Sequence, residues 1–354
     1  MAAPLRRGQL AWGLARAARL AAMSVLAAAL LALASPAPAA AHIAGAGGSP
    51  SNYRVVVTEL RPAVSGVAVT VGVGGQWVRI SNLGAGTIEV LGYHGEPFLR
   101  LSAHHVQANE LSTTAAQTGQ VRATTGTPGL PGSPAPPRWV TLRDGDSVTW
   151  TDARIAPSAS PAPPAQAFAT WQLPLLVDGH PVTALGTREL VPPPSPWPWV
   201  AALVLLTAGV AAIGWRRDWH RPIAAATTVG VLAFVLHLIG TGFTPQQNGP
   251  LFGWIGVGAV GAFCLVIGTI TVVSAARERD AAAARVITTG TMVLLLAFTD
   301  ITALWNSQLP FAGPASLDRA LTVLAYGTAL GLFIAGLRLT RAGAGRVPPG
   351  SASR

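Results

Sequence analysis

Charged side chains are scarce in this chain. Of its 354 residues, 11% are charged and 50% are hydrophobic. An ordinary soluble domain has about 25% charged residues, so the composition disfavours a water-soluble protein and indicates a membrane protein. Lysine is absent, and all 24 basic residues are arginines.

Cysteine and the common catalytic motifs are also missing. The single cysteine, Cys264, lies within a long apolar stretch, so the segment expected to be exported has no disulfide and must be stabilised by its hydrophobic core. No G-x-S-x-G, H-E-x-x-H, C-x-x-C or Walker A motif is present. We therefore expect no enzymatic activity, no catalytic residues and no residues dedicated to an organic cofactor, and an exported hydrolase is the least favoured class.

The net charge of +10 does not indicate nucleic-acid binding, because it is unevenly distributed. Residues 1–41 carry four arginines and no acids, residues 42–196 carry nine of each, and residues 197–354 carry eleven arginines and five acids. An excess of arginine at the N-terminus and between apolar stretches is typical of membrane insertion. The expected partner is therefore a membrane, not nucleic acid.

The N-terminal 41 residues have the organisation of a secretory signal. Arginines precede the apolar run 20–33, and the small-residue stretch 34–41 follows it. An apolar run of 14 residues is shorter than the roughly 20 that a spanning helix needs. Cleavage is predicted after Ala39 or Ala41, the latter leaving His42 as the first mature residue. An uncleaved signal anchor is the alternative, and either one exports the segment that follows.

Five apolar stretches near spanning length follow residue 196. They cover residues 197–215, 223–243, 252–274, 286–305 and 320–337. With residues 42–196 outside, ten arginines fall in the cytoplasmic segments, whereas the external loops contain only Arg319. This asymmetry predicts a multi-pass protein of the cell membrane with a cytoplasmic C-terminus. In the last stretch, Gly327, Gly331 and Ala335 share one face, which permits close packing within the bundle or, alternatively, dimerisation.

The exported segment shows the pattern of an all-β domain. Short runs rich in β-branched residues alternate with Gly, Asn and Asp turns between residues 53 and 190. The predicted fold class is mixed: an extracytoplasmic all-β immunoglobulin-like sandwich followed by an all-α five-helix transmembrane bundle, with a closed barrel as the alternative to the sandwich. The predicted domains are 1–41 signal, 42–190 sandwich, 191–198 proline-rich linker, 197–339 bundle and 340–354 cytoplasmic tail. Proline-rich inserts interrupt the sandwich at 124–137 and 157–164.

Two segments carry a resemblance. Residues 90–100 (VLGYHGEPFLR) and 191–199 (VPPPSPWPW) resemble membrane proteins of actinobacteria that combine a signal peptide, a β ectodomain and C-terminal helices. This resemblance implies an architecture and no established activity. The Ala41-His42 junction is also similar to that of secreted copper-binding β-sandwich proteins of bacterial copper resistance, in which a histidine begins the mature chain.

The first candidate site is a metal site built on His42 and His94. The α-amine and imidazole of a mature N-terminal His42 would form a chelate for Cu(II), which favours imidazole ligands. Further exported candidates are His104, His105, His180, Glu96 and Asp152. Solvated surface histidines are the alternative interpretation, and it is the favoured one.

The second candidate site lies within the membrane. His237 and Asp300 are six and five residues from the outer ends of their predicted stretches, which places both about 8–9 Å below the outer surface. Because they share this depth, we expect a pair that serves as a proton relay, an ion site or a structural ion pair. Two interpretations that involve no function remain open. In the first, a neutral His237 is hydrogen-bonded to a threonine of a neighbouring helix; in the second, the Asp300 side chain reaches water.

Two function classes follow from these sites. The first, which we favour, is a non-enzymatic envelope protein whose exported domain binds a metal ion such as copper, an envelope protein, an envelope polymer or a metal-handling partner. The second is a transport, redox or proton-coupled membrane component that uses His237 and Asp300. Its five helices are few for a transporter, so this class would require oligomerisation or a partner subunit.

Copper titration of the purified protein tests the first site. If His42 begins the mature chain and binds copper, Cu(II) should produce a visible absorption band that is lost in His42→Ala, because the chelate needs the imidazole. His220→Ala, which lies outside the segment predicted to be exported, is the control and should retain the band. Copper binding no tighter than millimolar would rule the site out.

Overall fold

The N-terminal part of the described chain consists of antiparallel strands, one short α-helix and one 3₁₀ turn, Val73–Gly75. The computed structural model describes residues 48–102, 104–121, 136–156, 167–245, 250–278 and 281–344. Ten strands lie in the first part: β1 Tyr53–Arg61, β2 Val67–Val71, β3 Val78–Asn82, β4 Ile88–Leu91, β5 Pro97–Ser102, β6 His105–Asn109, β7 Trp139–Asp144, β8 Ser147–Trp150, β9 Phe168–Val177 and β10 His180–Leu190. A short helix, α1 Thr113–Gln117, follows β6.

These strands form two antiparallel sheets. The larger has seven strands in the order β1-β10-β9-β4-β5-β6-β7, and the smaller has three in the order β2-β3-β8. The long β9–β10 hairpin pairs His180 with Val177 at one end and Glu189 with Phe168 at the other. The two sheets together form what we call the β region.

Alternate side chains of the strands pack into one hydrophobic core between the two sheets. In β3, Val78 and Ile80 are fully buried whereas the intervening Arg79 is half-buried. Leu99 and Leu101 of the larger sheet belong to the same hydrophobic core. Residues on one side of each strand are thereby removed from water, which favours folding by about 25 cal/mol for each Å² of apolar surface buried.

A buried ion pair lies at one end of this core. Asp152 is fully buried; both its oxygens accept hydrogen bonds from the Arg154 side chain, at 2.9 and 2.7 Å, and Oδ2 also accepts one from Trp150 Nε1 at 3.0 Å. Arg154 also donates to the Leu91 carbonyl. Both oxygens of this carboxylate already accept hydrogen bonds from neighbouring side chains. Asp152 is therefore a structural residue and is not free to bind a metal ion.

The C-terminal part is helical. Its elements are α2 Trp197–Ile213, α3 His220–Gly242, α4 Pro250–Ala276, α5 Ala282–Leu296, a 3₁₀ segment Phe298–Leu304, and α6 Ala315–Ala344. Helix α6 is the central one: α2, α3, α5 and the 3₁₀ segment all pack against it. Glycines permit the close approach of α2, because a Cβ on Gly331 would lie 2.5 Å from Val210. The small-residue face of α6 therefore serves packing within the helical part.

Three of these helices are long and apolar enough to cross a membrane: His220–Gly242, Gly253–Ala276 and Ala315–Ala342. The predicted stretch 286–305 corresponds to α5 and the 3₁₀ segment, which meet at a bend of 62° and count as a fourth span when taken together. Helix α2 has 17 residues, or about 26 Å, which is short of the roughly 30 Å hydrocarbon core. The prediction of apolar C-terminal helices is confirmed at this coarser level.

Nine of the ten strands overlap runs predicted from the sequence. Strand β6 and helix α1 were not predicted, because His105–Asn109 contains only two apolar residues and α1 has a single turn. The signal segment and most of the two proline-rich inserts lie outside the described residues.

The β region contacts the loop that follows the 3₁₀ segment. Ser51 and Gln308 form a reciprocal backbone pair at 2.9 and 2.8 Å, and the Ser307 amide donates to Asn52 Oδ1 at 2.9 Å. The Ser307 hydroxyl donates to the Val191 carbonyl at 3.1 Å. The β region thus lies at the end of the helical part where α6 begins.

Asp152→Asn tests the importance of the buried ion pair. Removing the charge leaves the Arg154 guanidinium without its partner, so we expect the free energy of unfolding to fall by about 3 kcal/mol or more. The measurement is chemical denaturation of the full-length protein in detergent, followed by near-ultraviolet circular dichroism. The control is Asp144→Asn, which removes an exposed carboxylate paired with His105 and should cost less than about 1 kcal/mol. Equal losses in the two variants would contradict a special role for Asp152.

Candidate functional site

The end of the helical part that faces the β region contains a buried histidine between two carboxylates. His237 Nδ1 lies 2.6 Å from Asp318 Oδ1, and His237 Nε2 lies 3.3 Å from Asp300 Oδ2. These three residues come from α3, the 3₁₀ segment and α6. We call them the His237 cluster. The structure brings His237 and Asp300 together and adds Asp318, which the sequence pattern did not indicate.

The bend after α5 positions Asp300. Regular α-helix ends at Leu296, and Asp300 lies in the first turn of the 3₁₀ segment, where its amide donates to Ala297 O. Thr299 and Thr302 flank it, and the Thr302 hydroxyl donates to the Thr299 carbonyl. Hydroxyl-to-backbone bonds of this kind compete with a continuous helix. The resulting change of direction presents Asp300 to α3.

Arg319 holds the other end of the 3₁₀ segment. Its side chain is buried; Nε donates to Ala303 O at 3.0 Å and a terminal nitrogen donates to Asn306 O at 2.7 Å. Carbonyls at the end of a helical segment lack intrahelical donors, and a cationic side chain satisfies them well. The arginine adjacent to Asp318 thus fastens the segment that carries Asp300.

Aromatic rings enclose the imidazole. Phe234 and Phe311 lie nearly parallel to it, with ring centroids 6.4 and 6.3 Å away. Gly240 makes room for Phe311, because a Cβ at that position would lie 2.0 Å from the phenyl ring. These apolar walls reduce the solvation of His237, which strengthens its interaction with both carboxylates.

The geometry determines how many protons the closed cluster contains. A carboxylate only accepts hydrogen bonds, and a neutral imidazole has one N–H and one acceptor nitrogen. With both ring nitrogens facing carboxylate oxygens, two protons are needed: either an imidazolium, or a neutral imidazole with one protonated carboxyl. Loss of one proton leaves two lone pairs facing each other. The Asp300 contact is the longer one, and its side chain is 14% exposed against 2% for Asp318, so we expect that contact to open first.

Polar groups continue from Asp318 along one face of α6. Thr322 and Tyr326 follow at intervals of four residues, which places them on successive turns of the same face. The Thr322 hydroxyl is buried and has no hydrogen-bond partner among the described residues. Tyr326 is close enough to Asp300 to interact with it electrostatically. The His237 cluster therefore has polar neighbours, Thr322 and Tyr326, along the same face of α6.

Asp318 was not predicted as a site residue, because the last apolar stretch predicted from the sequence begins at residue 320. Helix α6 begins at Ala315, immediately after Pro314, so Asp318 lies in its first turn. Proline just before a helix and an acidic residue in the first turn are recognised start signals. Applying those signals would have placed Asp318 in the same helix end as Arg319.

The exported metal candidates are not brought together. In the described ranges, no group of three or more His, Cys, Asp and Glu side chains could hold a metal ion. His94 lies exposed in the turn between β4 and β5, His104 has a φ of 65° in the turn before β6, and His105 pairs with Asp144 on the surface. His42 lies outside the described residues, so a site based on it stays a prediction.

Glu96 is engaged in a structural network instead. Its Oε1 accepts hydrogen bonds from the hydroxyls of Ser112 and Thr114, at 2.9 and 2.7 Å, and its Oε2 accepts one from the His94 amide at 3.1 Å. Partial burial opposes ionisation, but these hydrogen bonds outweigh it and hold the pKa of Glu96 below its ordinary value. The carboxylate thus ties the β4–β5 turn to the start of α1.

Comparison with known proteins identified no relative: no family model, curated protein or solved structure matches the chain. The site must therefore be interpreted from its own geometry.

Glu96 should make the β region sensitive to acid. Because the folded pKa is lowered, its stabilisation is complete above the ordinary carboxyl pKa and is lost as the pH falls through the folded pKa. At neutral pH, Glu96→Gln should reduce the free energy of unfolding by about 1 kcal/mol, since charge-assisted hydrogen bonds become neutral ones. The difference from wild type should vanish in strong acid, as measured by denaturation at several pH values. Glu189→Gln, which removes an exposed partner of Arg54, is the control, and a Glu96 effect independent of pH would contradict the prediction.

Proposed function

We propose that this chain is a non-enzymatic, multi-pass protein of the cell envelope whose activity is coupled to proton binding at the His237 cluster. The observation that carries the proposal is the buried imidazole of His237, which contacts a carboxylate at each of its ring nitrogens inside apolar helices. This function corresponds to the second class derived from the sequence. The geometry favours it over metal binding by the exported segment.

A cost argument supports a functional role. Ionisable side chains within membrane helices are expensive and are commonly retained for ion or proton handling. A packing role alone would be met at lower cost by hydrophobic residues of similar volume. Here three ionisable groups meet, and one of them lies on a segment bent by 62° from the preceding helix. That arrangement suits a group that changes partners when a proton is lost.

The proposed topology has five spans, with the β region outside. Three observations support it: the arginine asymmetry, the apolar helices, and the contact between the β region and the loop 306–319 predicted to be external. An immunoglobulin-like sandwich is proposed for the β region, whose two antiparallel sheets share one core. Binding of an external ligand or partner by that region, copper included, is part of the proposal.

Nitrogen-15 NMR of histidine-labelled protein in lipid nanodiscs tests the proton site. We expect one imidazole signal whose pH dependence differs from that of the exposed histidines, because both ring nitrogens of His237 contact carboxylate oxygens. The signal should be lost in His237→Gln. In Asp318→Asn its pH dependence should change, since the closer carboxylate is replaced by a neutral amide.

Hydrogen exchange distinguishes a working site from an inert ion pair. In the proposed function, amide protection of residues 298–308 falls as the second proton is lost, because the Asp300 contact opens. His220→Gln, at the opposite end of α3, is the control and should leave both measurements unchanged. Ordinary titration of every histidine would refute the proton site, and protection independent of pH would reduce the cluster to a structural ion pair.

A further inference from the structure

The contact between the β region and the helices is made at the loop connected to Asp300. The reciprocal backbone bonds between Ser51 and Gln308 extend the edge of the β region by one bridge. Ser307 adds its amide bond to Asn52 and its hydroxyl bond to Val191. Asn52 and Val191 are themselves joined by a backbone bond of 2.8 Å. We call these four hydrogen bonds of Ser307 and Gln308 the docking contact.

A short and well-braced path connects the docking contact to Asp300. The 3₁₀ segment ends at Leu304, three residues before Ser307. Between them, Trp305 closes the last turn through its bond to Thr302 O, and the Asn306 side chain donates back to the same carbonyl. Arg319 binds Ala303 O and Asn306 O from α6. Few freely rotating bonds therefore lie between Ser307 and the 3₁₀ segment. A displacement of Ser307 is for this reason transmitted to the segment.

We propose that the docking contact holds Asp300 against His237, so that the β region acts as an external control on proton binding. When a ligand or partner pulls the β region away from the loop, the 3₁₀ segment shifts, the Asp300 contact opens and the cluster releases one proton to water. The N–H or O–H bond of the released proton breaks, its electron pair stays on the cluster, and a water molecule accepts the proton. The inference rests on the proposed function and adds its regulation.

Thermodynamic linkage fixes the direction of the pH effect. The docked state holds one proton more than the undocked state, so docking is favoured at lower pH and weakens as the pH rises; undocking lowers proton affinity by the same factor. The groups that set this balance around His237 are Asp300 on the 3₁₀ segment and Asp318, Arg319 and Tyr326 on α6. The walls contributed by Phe234 and Phe311 are uncharged.

A reversible disulfide tests the coupling in the full-length protein. Ser51 and Gln308 form a hydrogen-bonded antiparallel pair, whose Cα atoms are typically about 5.5 Å apart, within the range that a disulfide spans. We would introduce Ser51→Cys and Gln308→Cys into Cys264→Ser, reconstitute the protein in nanodiscs and follow the His237 imidazole signal by nitrogen-15 NMR. The oxidised form should bind the second proton about fivefold more tightly than the undocked protein.

Asn52→Ala plus Ser307→Ala removes two of the four bonds, and this variant with a weakened docking contact serves as the undocked reference. This double variant should lose the second proton at lower pH than wild type and expose residues 298–308 to hydrogen exchange. The matched control, Thr170→Ala plus Gln172→Ala on exposed positions of β9, should behave as wild type. It also shows whether a double truncation in the β region disturbs folding.

The outcomes separate the two proposals. Identical proton affinities in the oxidised form, its reduced form and the Asn52/Ser307 double variant would overturn the coupling while leaving the proton site intact. A His237 imidazole signal that titrates like those of the exposed histidines in every form would overturn both. A change in affinity that tracks the docking contact, and not the control pair, supports the control of proton binding by the β region.

Discussion

The contact between one imidazole and two carboxylates in an apolar setting constrains the whole end of the helical part that faces the β region. In water such charges interact weakly, but in a low-dielectric interior the same separations carry several times more energy. The groups cannot lie there unpaired, because an isolated buried charge is far costlier than a paired one. Three separate elements must therefore meet at His237, and the geometry of each follows from that requirement.

The bend between α5 and the 3₁₀ segment is one such consequence. A straight helix through residues 286–305 would continue along the axis of α5, whereas the observed change of 62° turns the chain toward α3. At the far end of the 3₁₀ segment, Arg319 donates hydrogen bonds to the carbonyls of Ala303 and Asn306. The arginine and aspartate adjacent in sequence on α6 thus perform complementary tasks: one fastens the segment, and the other binds the imidazole.

Regular patterns were predictable from the sequence, and departures from regularity were not. Alternation in Val78–Asn82 and the length of the apolar stretches are period-based signals, and they identified most strands and the helical part. His237 and Asp300 could be predicted to lie at the same depth, because the position of a residue along a span follows from the rise per residue. The bend could not be predicted, because residues 296–304 contain neither glycine nor proline. Asp318 was not predicted as a site residue, because hydropathy is a poor guide to where a helix begins. The docking contact is formed between residues about 255 positions apart, beyond the reach of any local pattern.

In the proposed function, charge balance favours the proton-loaded cluster as the resting state. With two protons shared among His237, Asp300 and Asp318, the cluster carries one net negative charge, which the buried Arg319 on the next residue of α6 offsets. Removal of a proton leaves an uncompensated negative charge near the end of an apolar bundle, where solvation is weak. The more exposed carboxylate, Asp300, is the one that can regain water by moving outward with its segment. Asp300 and the loop held by the β region are close in sequence, so in the proposed mechanism the electrostatics of the cluster and the docking contact act on the same short stretch of chain.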